Sequence, residues 1–301
     1  MVERMEDMTA LTGIWRLARS AWLAAAGACI FWGGGLGSAC GQEASGLEVA
    51  ASIERAVVDA IARAERSVVA IARVKRSEPE GNLSFEFRPD PFGQRMMEFS
   101  PARPADPEFI PNEYATGVVV GRHGLILTAY HVLGEDSDYY VTTADRKIYL
   151  ATVKGADPRS DLAVLSVEAT DLEPISFGDA GKLRKGQFVV ALGNPYAIAR
   201  DGQVSASWGI VANLARKAPL VSDELHPTGK STLHHFGTLI QTDAKLTLGT
   251  SGGPLLNLKG EMVGLTTALA ATAGYEESAG YALPVDETFR RVVETLKLGR
   301  E

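Results

Sequence analysis

The sequence predicts an all-β protein, a sandwich or a barrel, framed by an amphipathic helix at each end of its globular part. Two observations predict it. From Tyr114 onward the chain breaks into short β-type runs: Gly117 to Val120, Leu125 to Thr128, Tyr139 to Thr142, Ala163 to Val167, Phe188 to Leu192, Leu239 to Thr242 and Glu261 to Thr267. Turn formers such as Gly121 to Gly124 and Gly193-Asn194-Pro195 separate them, and many short strands at such spacing mark sandwiches and barrels.

The elements follow in order. Arg16 and Arg19 precede an uncharged stretch from Ser20 to Gln42, rich in Ala, Gly, Trp and Leu, which reads as a membrane-targeting segment. Three fates fit it: cleavage after Ala39, lipidation of Cys40 in a degenerate Gly-Ser-Ala-Cys motif, or retention as a single anchor. In each, the basic flank stays inside and the rest of the chain is exported. Ser52 to Arg66 places Ile53, Val57, Ala60, Ile61 and Ala64 three and four residues apart, the pattern of an amphipathic helix with a serine cap, and Ser67 to Ala72 follows as a strand.

From Ser77 to Asn112 the pattern fails. Seven of the fourteen prolines fall between Pro79 and Pro111, so irregular chain is expected there. Phe85, Phe87, Phe92, Met96, Met97 and Phe99 make that stretch more apolar than a linker, fitting either a loop that covers its own domain or a partner surface. At the other end, Asp286 to Lys297 lines up Phe289, Val292, Val293 and Leu296 as a closing helix.

Composition removes several function classes. The 301 residues, 46% hydrophobic, can bury a real core. With 30 Lys plus Arg against 37 Asp plus Glu, the net charge of -7 offers no footprint for nucleic acid. Both cysteines, Cys29 and Cys40, lie in the N-terminal segment, so no disulfide, cysteine nucleophile or zinc thiolate exists beyond Gly41. His226, His234 and His235 read as solvated loop residues rather than a metal site. Gly229-Lys230-Ser231 is no phosphate loop, because Glu224 stands where its first glycine must be.

Gly249-Thr250-Ser251-Gly252-Gly253-Pro254 is the most informative hexapeptide. A serine between glycines suits a tight turn that presents a hydroxyl, with backbone N–H groups aimed at a developing oxyanion. Such a hydroxyl needs a base, and the base an orienting carboxylate. His131, in Leu-Thr-Ala-Tyr-His-Val-Leu, and Asp161, in Ser-Asp-Leu-Ala-Val-Leu, both sit at strand ends, where catalytic groups are found.

The order His, Asp, Ser, together with segments Ala115 to Val132, Ser160 to Val167, Val189 to Tyr196, Gln241 to Leu256 and Gly280 to Asp286, resembles the trypsin-fold endopeptidases of the high-temperature-requirement (HtrA, or Deg) family, over about Ser52 to Leu296. The resemblance implies a chymotrypsin/trypsin-like double six-stranded β-barrel with an N-terminal and a C-terminal helix. It implies catalytic His131, Asp161 and Ser251, an oxyanion hole at Gly249, Thr250 and Ser251, and a substrate pocket near Leu246 and Leu265, Thr266, Thr267 and Ala268 that takes a small or medium aliphatic residue. Lys245 keeps an acidic preference open.

The organisation expected is a signal peptide, lipoprotein signal or anchor at 1–44, the N-terminal helix, first strand and Pro-rich insertion at 45–113, the rest of the protease domain at 114–297, and a tail at 298–301. Three departures from the family stand out: Thr250 where relatives carry Asn, a longer Ala218 to His235 segment, and a chain ending at Glu301 with no PDZ domain after the closing helix. The implied activity is cleavage of unfolded exported proteins, without cofactor or metal, by a homotrimer held at the membrane through its N-terminal segment. The alternative is a silent, protease-shaped binding module whose oxyanion hole Thr250 or loop closure keeps collapsed.

Overall fold

The computed structural model describes residues 46–76, 113–194, 203–217, 238–267 and 279–300, and the backbone of two further strands at 83–89 and 95–101. The elements in chain order are α1 (Gly46–Ala64), β1 (Val68–Lys75), β2 (Leu83–Pro89), β3 (Arg95–Pro101), β4 (Glu113–Gly121), β5 (Leu125–Ala129), β6 (Ser137–Thr142), β7 (Ile148–Asp157), β8 (Leu162–Val167), β9 (Phe188–Gly193), β10 (Ser205–Lys217), β11 (Thr238–Thr242), β12 (Pro254–Leu256), β13 (Met262–Thr267), β14 (Gly280–Pro284) and α2 (Glu287–Lys297). Twelve strands close into two barrels, β1-β4-β5-β8-β7-β6 and β10-β11-β14-β13-β12-β9, and β2 pairs with β3 alone. Closure removes the free edges that would otherwise invite aggregation. The double barrel with its two helices is the architecture the resemblance implied.

Continuous apolar runs became the most buried strands. In β4, Ala115 to Val120 are buried throughout, and in β8 every residue except Ser166 is. One core cluster joins both barrels to both helices: Ala64 and Val68, Val118 and Leu127, Leu162 and Val164, Val190 and Leu192, Met262, Leu265, Phe289, Val293 and Leu296. The closing helix starts as the sequence suggested. Asp286 is its N-cap, its side chain accepting from the Phe289 amide at 2.8 Å. Its far end lies on the first barrel, so close that a Cβ on Gly155 of β7 would sit 2.7 Å from the Leu296 carbonyl oxygen. Arg290 braces it, donating to the Phe177 carbonyl at 3.3 Å with its guanidinium carbon 5.3 Å from the Phe177 ring centre.

Two expectations change. Ser52 does not cap the first helix, which begins at Gly46; its hydroxyl donates to the Val49 carbonyl at 2.7 Å, one turn back. The stretch 77–112 is not wholly irregular, since β2 and β3 pair antiparallel from Leu83↔Pro101 to Pro89↔Arg95. The two prolines within those strands, Pro89 and Pro101, stand at their ends, where a missing N–H costs least. The N-terminal segment, His226, His234, His235 and Ala268 lie outside the described residues. Among the described residues no helix is long and apolar enough to cross a membrane.

Phe289 is 5% exposed and packs edge-on against Phe177, with ring centres 6.1 Å apart. Phe289→Ala is therefore expected to cost about 3–5 kcal/mol, and Asp286→Ala about 1 kcal/mol. Urea denaturation followed by tryptophan fluorescence checks both.

Candidate active site

The pairing of β5 with β8 assembles one half of the site. Its register, Ala129↔Leu162, sets the residues that leave β5 beside those that enter β8. Tyr130 donates its amide to the Asp161 carbonyl at 2.9 Å, and Tyr130–Val132 form one 3-10 turn that presents His131. Asp161 then grips this histidine twice. Its Oδ1 accepts the His131 backbone amide at 2.9 Å, and its carboxylate meets the ring Nδ1 at 2.9 Å through Oδ2 and 3.1 Å through Oδ1. A carboxylate accepts only, so Nδ1 carries the proton and Nε2 presents its lone pair. Asp161 is 1% exposed, while the His131 side chain keeps 23% of its surface open. Asp161 also takes φ 53, the left-handed region, at a cost on the order of 1–3 kcal/mol; its hydrogen bonds to the turn offset that strain.

Burial alone would disfavour a charged His131, but the Asp161 charge, its hydrogen bond and, more weakly, Glu113 outweigh burial and hold the imidazole pKa above its ordinary 6.5. The sign follows: protonated His131 favours the folded state, fully so below pH 6.5, and this contribution fades as pH rises through the folded value.

Ser251 belongs to the second barrel, in the loop between β11 and β12, yet its backbone is tied to the first. Thr116 of β4 donates its amide to the Ser251 carbonyl at 2.9 Å, and β4 lies beside β5, whose end carries His131. Gly249 and Gly252 hold φ of 90° and 84°. A Cβ on Gly252 would lie 2.2 Å from the Thr116 carbonyl oxygen, and one on Gly253 2.3 Å from that of Leu192. Close backbone packing is thus what demands these two glycines.

Around the loop, Thr250 turns inward, its hydroxyl donating to the Thr247 carbonyl at 2.6 Å. A cavity of about 180 Å³ lies beside it, lined by residues 191–193 of β9, residues 205–207 of β10, and Lys245, Thr247 and Thr250. Leu246 packs partly buried against the second barrel, Leu265 and Thr266 are fully buried, and Thr267 nearly so. Among the described residues no cluster of three or more His, Cys, Asp or Glu is placed to hold a metal ion. Sequence reasoning passed over Thr116 and Thr128, whose hydroxyls both act at the barrel seam; the only signal was a polar residue inside each apolar run.

The model of the trypsin-like peptidase domain matches residues 115–265, half of the chain, from the start of β4 to the middle of β13. The chain belongs to the HtrA/Deg family of trypsin-like peptidases. Relatives of this HtrA-type domain include proteins described as probable periplasmic serine endoprotease DegP-like. That of Chlamydia pneumoniae is 32% identical over 200 residues, covering 66% of this chain and 38% of its own. That of Marinomonas sp. is 35% identical over 211 residues, covering 70% and 39%. The HtrA-type domain thus spans about two fifths of the length of these two relatives. Its fold matches a solved HtrA-type protease, AlgW with decapeptide, at a TM-score of 0.57 and 22% identity, over 80% of this chain and 67% of that one.

A ring titration of His131 by NMR should show a midpoint above 6.5, and Asp161→Asn should move it down, because the charge that opposes burial is gone.

Proposed function

We propose that this HtrA-type domain is a serine endopeptidase that hydrolyses peptide bonds of unfolded or damaged exported proteins, with Ser251 as nucleophile, His131 as base and Asp161 as the group that orients it. The observation that carries the reading is the double grip of buried Asp161 on His131, which leaves Nε2 as the ring's proton acceptor. In the first step Nε2 takes the Ser251 hydroxyl proton as Oγ bonds to the scissile carbonyl carbon. The carbonyl π electrons move onto oxygen, and the amides of Gly249 and Ser251, spaced by Thr250, receive that oxyanion. The Gly249 amide has no acceptor among the described residues, which suits it to this task. Collapse expels the leaving amine, which takes the proton from His131. Water, activated by the same base, then releases the acyl group and regenerates Ser251.

The family resemblance adds a pocket near Leu246, Leu265, Thr266, Thr267 and Ala268 for a small or medium aliphatic residue on the acyl side of the cut bond. The names of the relatives support an extracytoplasmic setting. A homotrimer and membrane attachment through residues 1–44 belong to the same proposal.

A fluorophosphonate probe should label the wild-type chain and not Ser251→Ala, and Ser251→Ala should lose casein cleavage by on the order of 10⁴-fold or more with its fold intact. Wild-type protein without Ser251-dependent labelling would instead mark a binding module. Mass spectrometry of the casein fragments should show small or medium aliphatic residues on the acyl side.

A further inference from the structure

We infer that Thr116 is a positioning residue for the oxyanion-binding segment, acting from the opposite barrel through the carbonyl of Gly249; the inference rests on the catalytic reading of residues 249–251. Thr116 lies in β4 and is 0% exposed. Its hydroxyl oxygen accepts the Asn194 amide at 2.9 Å and donates to the Gly249 carbonyl at 2.7 Å. A hydroxyl has one proton, and with an N–H already pointing at its lone pair that proton is committed to Gly249.

The same residue also holds the Ser251 carbonyl through its amide, at 2.9 Å, and its own carbonyl accepts from the Thr128 hydroxyl at 2.8 Å. Thr116 therefore grips the residues on both sides of Thr250. The carbonyl of Thr250 itself accepts from the Thr266 hydroxyl at 2.6 Å and from the Gly253 amide at 3.0 Å. In a trans peptide the C=O and N–H point in opposite directions, so drawing the Thr250 carbonyl towards Thr266 turns the Ser251 amide the other way.

Thr250 has two donors on its carbonyl, whereas among the described residues Gly249 has only Thr116. Gly249 is also the residue at φ 90. Losing the Thr116 hydroxyl leaves a buried carbonyl and a buried amide without partners, with no solvent to replace them, and rotation about Gly249 becomes the easiest relief. That rotation displaces the oxyanion donors and leaves the His131–Asp161 pair, on the other barrel, as it was.

The test compares full-length wild type, Thr116→Val and Thr116→Ser by turnover of an internally quenched peptide, fluorophosphonate labelling and NMR titration of His131. Removing a direct oxyanion donor costs about 10²–10³ in kcat, so indirect misplacement should cost about tenfold. Thr116→Val is expected to lower kcat by about that factor, with KM within about twofold and the His131 midpoint unmoved. Thr116→Ser, which keeps the hydroxyl, should return kcat to within about threefold of wild type.

If Thr116→Val lacks a cooperative thermal transition, Thr116→Cys replaces it, its S–H being a weak donor, with the same loss expected. A Val or Cys variant with wild-type kcat, a Ser variant as slow as Val, or a shifted His131 midpoint overturns the inference and leaves the catalytic reading standing. Wild type without Ser251-dependent labelling overturns both.

Discussion

Backbone contact across the seam between the barrels is the constraint from which the site follows. The loop bearing Ser251 lies against β4 with no room for a side chain at Gly252, and the Thr116 amide and hydroxyl fasten its carbonyls there. Two rigid closed sheets thereby fix the separation of groups they supply independently, His131 and Asp161 from one, Ser251 from the other. Preorganisation of this kind is what electrostatic catalysis needs, because dipoles already in place spend nothing on reorganising during the reaction.

The seam is polar where it touches the site and apolar elsewhere. Thr116, Thr128 and Thr266 are all fully buried, and each hydroxyl donates to a backbone carbonyl. Buried hydroxyls in directed bonds specify one loop geometry in a way that apolar contacts, which tolerate sliding, do not. Asp161 works similarly on the first barrel, where a carboxylate removed from solvent raises the basicity of the imidazole it orients.

Much of this was legible in the sequence. The strands β4, β5, β8, β9, β11 and β13 are apolar runs bounded by turn residues, and the positions of His131 and Asp161 at strand ends pointed to their convergence. Less visible was β7, whose Leu150 and Val153 face solvent and whose register shifts between Val153 and Gly155. At three residues, β12 is too short to show a period. The stretch 77–112 was masked by its prolines, although its two strands need only their interiors free of them. Thr116 was hidden for a different reason: a β-branched residue in a strand looks like a strand former, and its partner at Gly249 lies 133 residues away.

The helix α2 packs its last turn on Gly155 of the first barrel and sends Phe289, Val293 and Leu296 into the core that both barrels share. Translation delivers those residues after every strand has been made. Until they arrive, the core that the two barrels share lacks the side chains of Phe289, Val293 and Leu296. The shared core is thus completed by a helix that belongs to neither sheet, and the seam that carries Ser251 and His131 depends on a segment translated after the strands it joins.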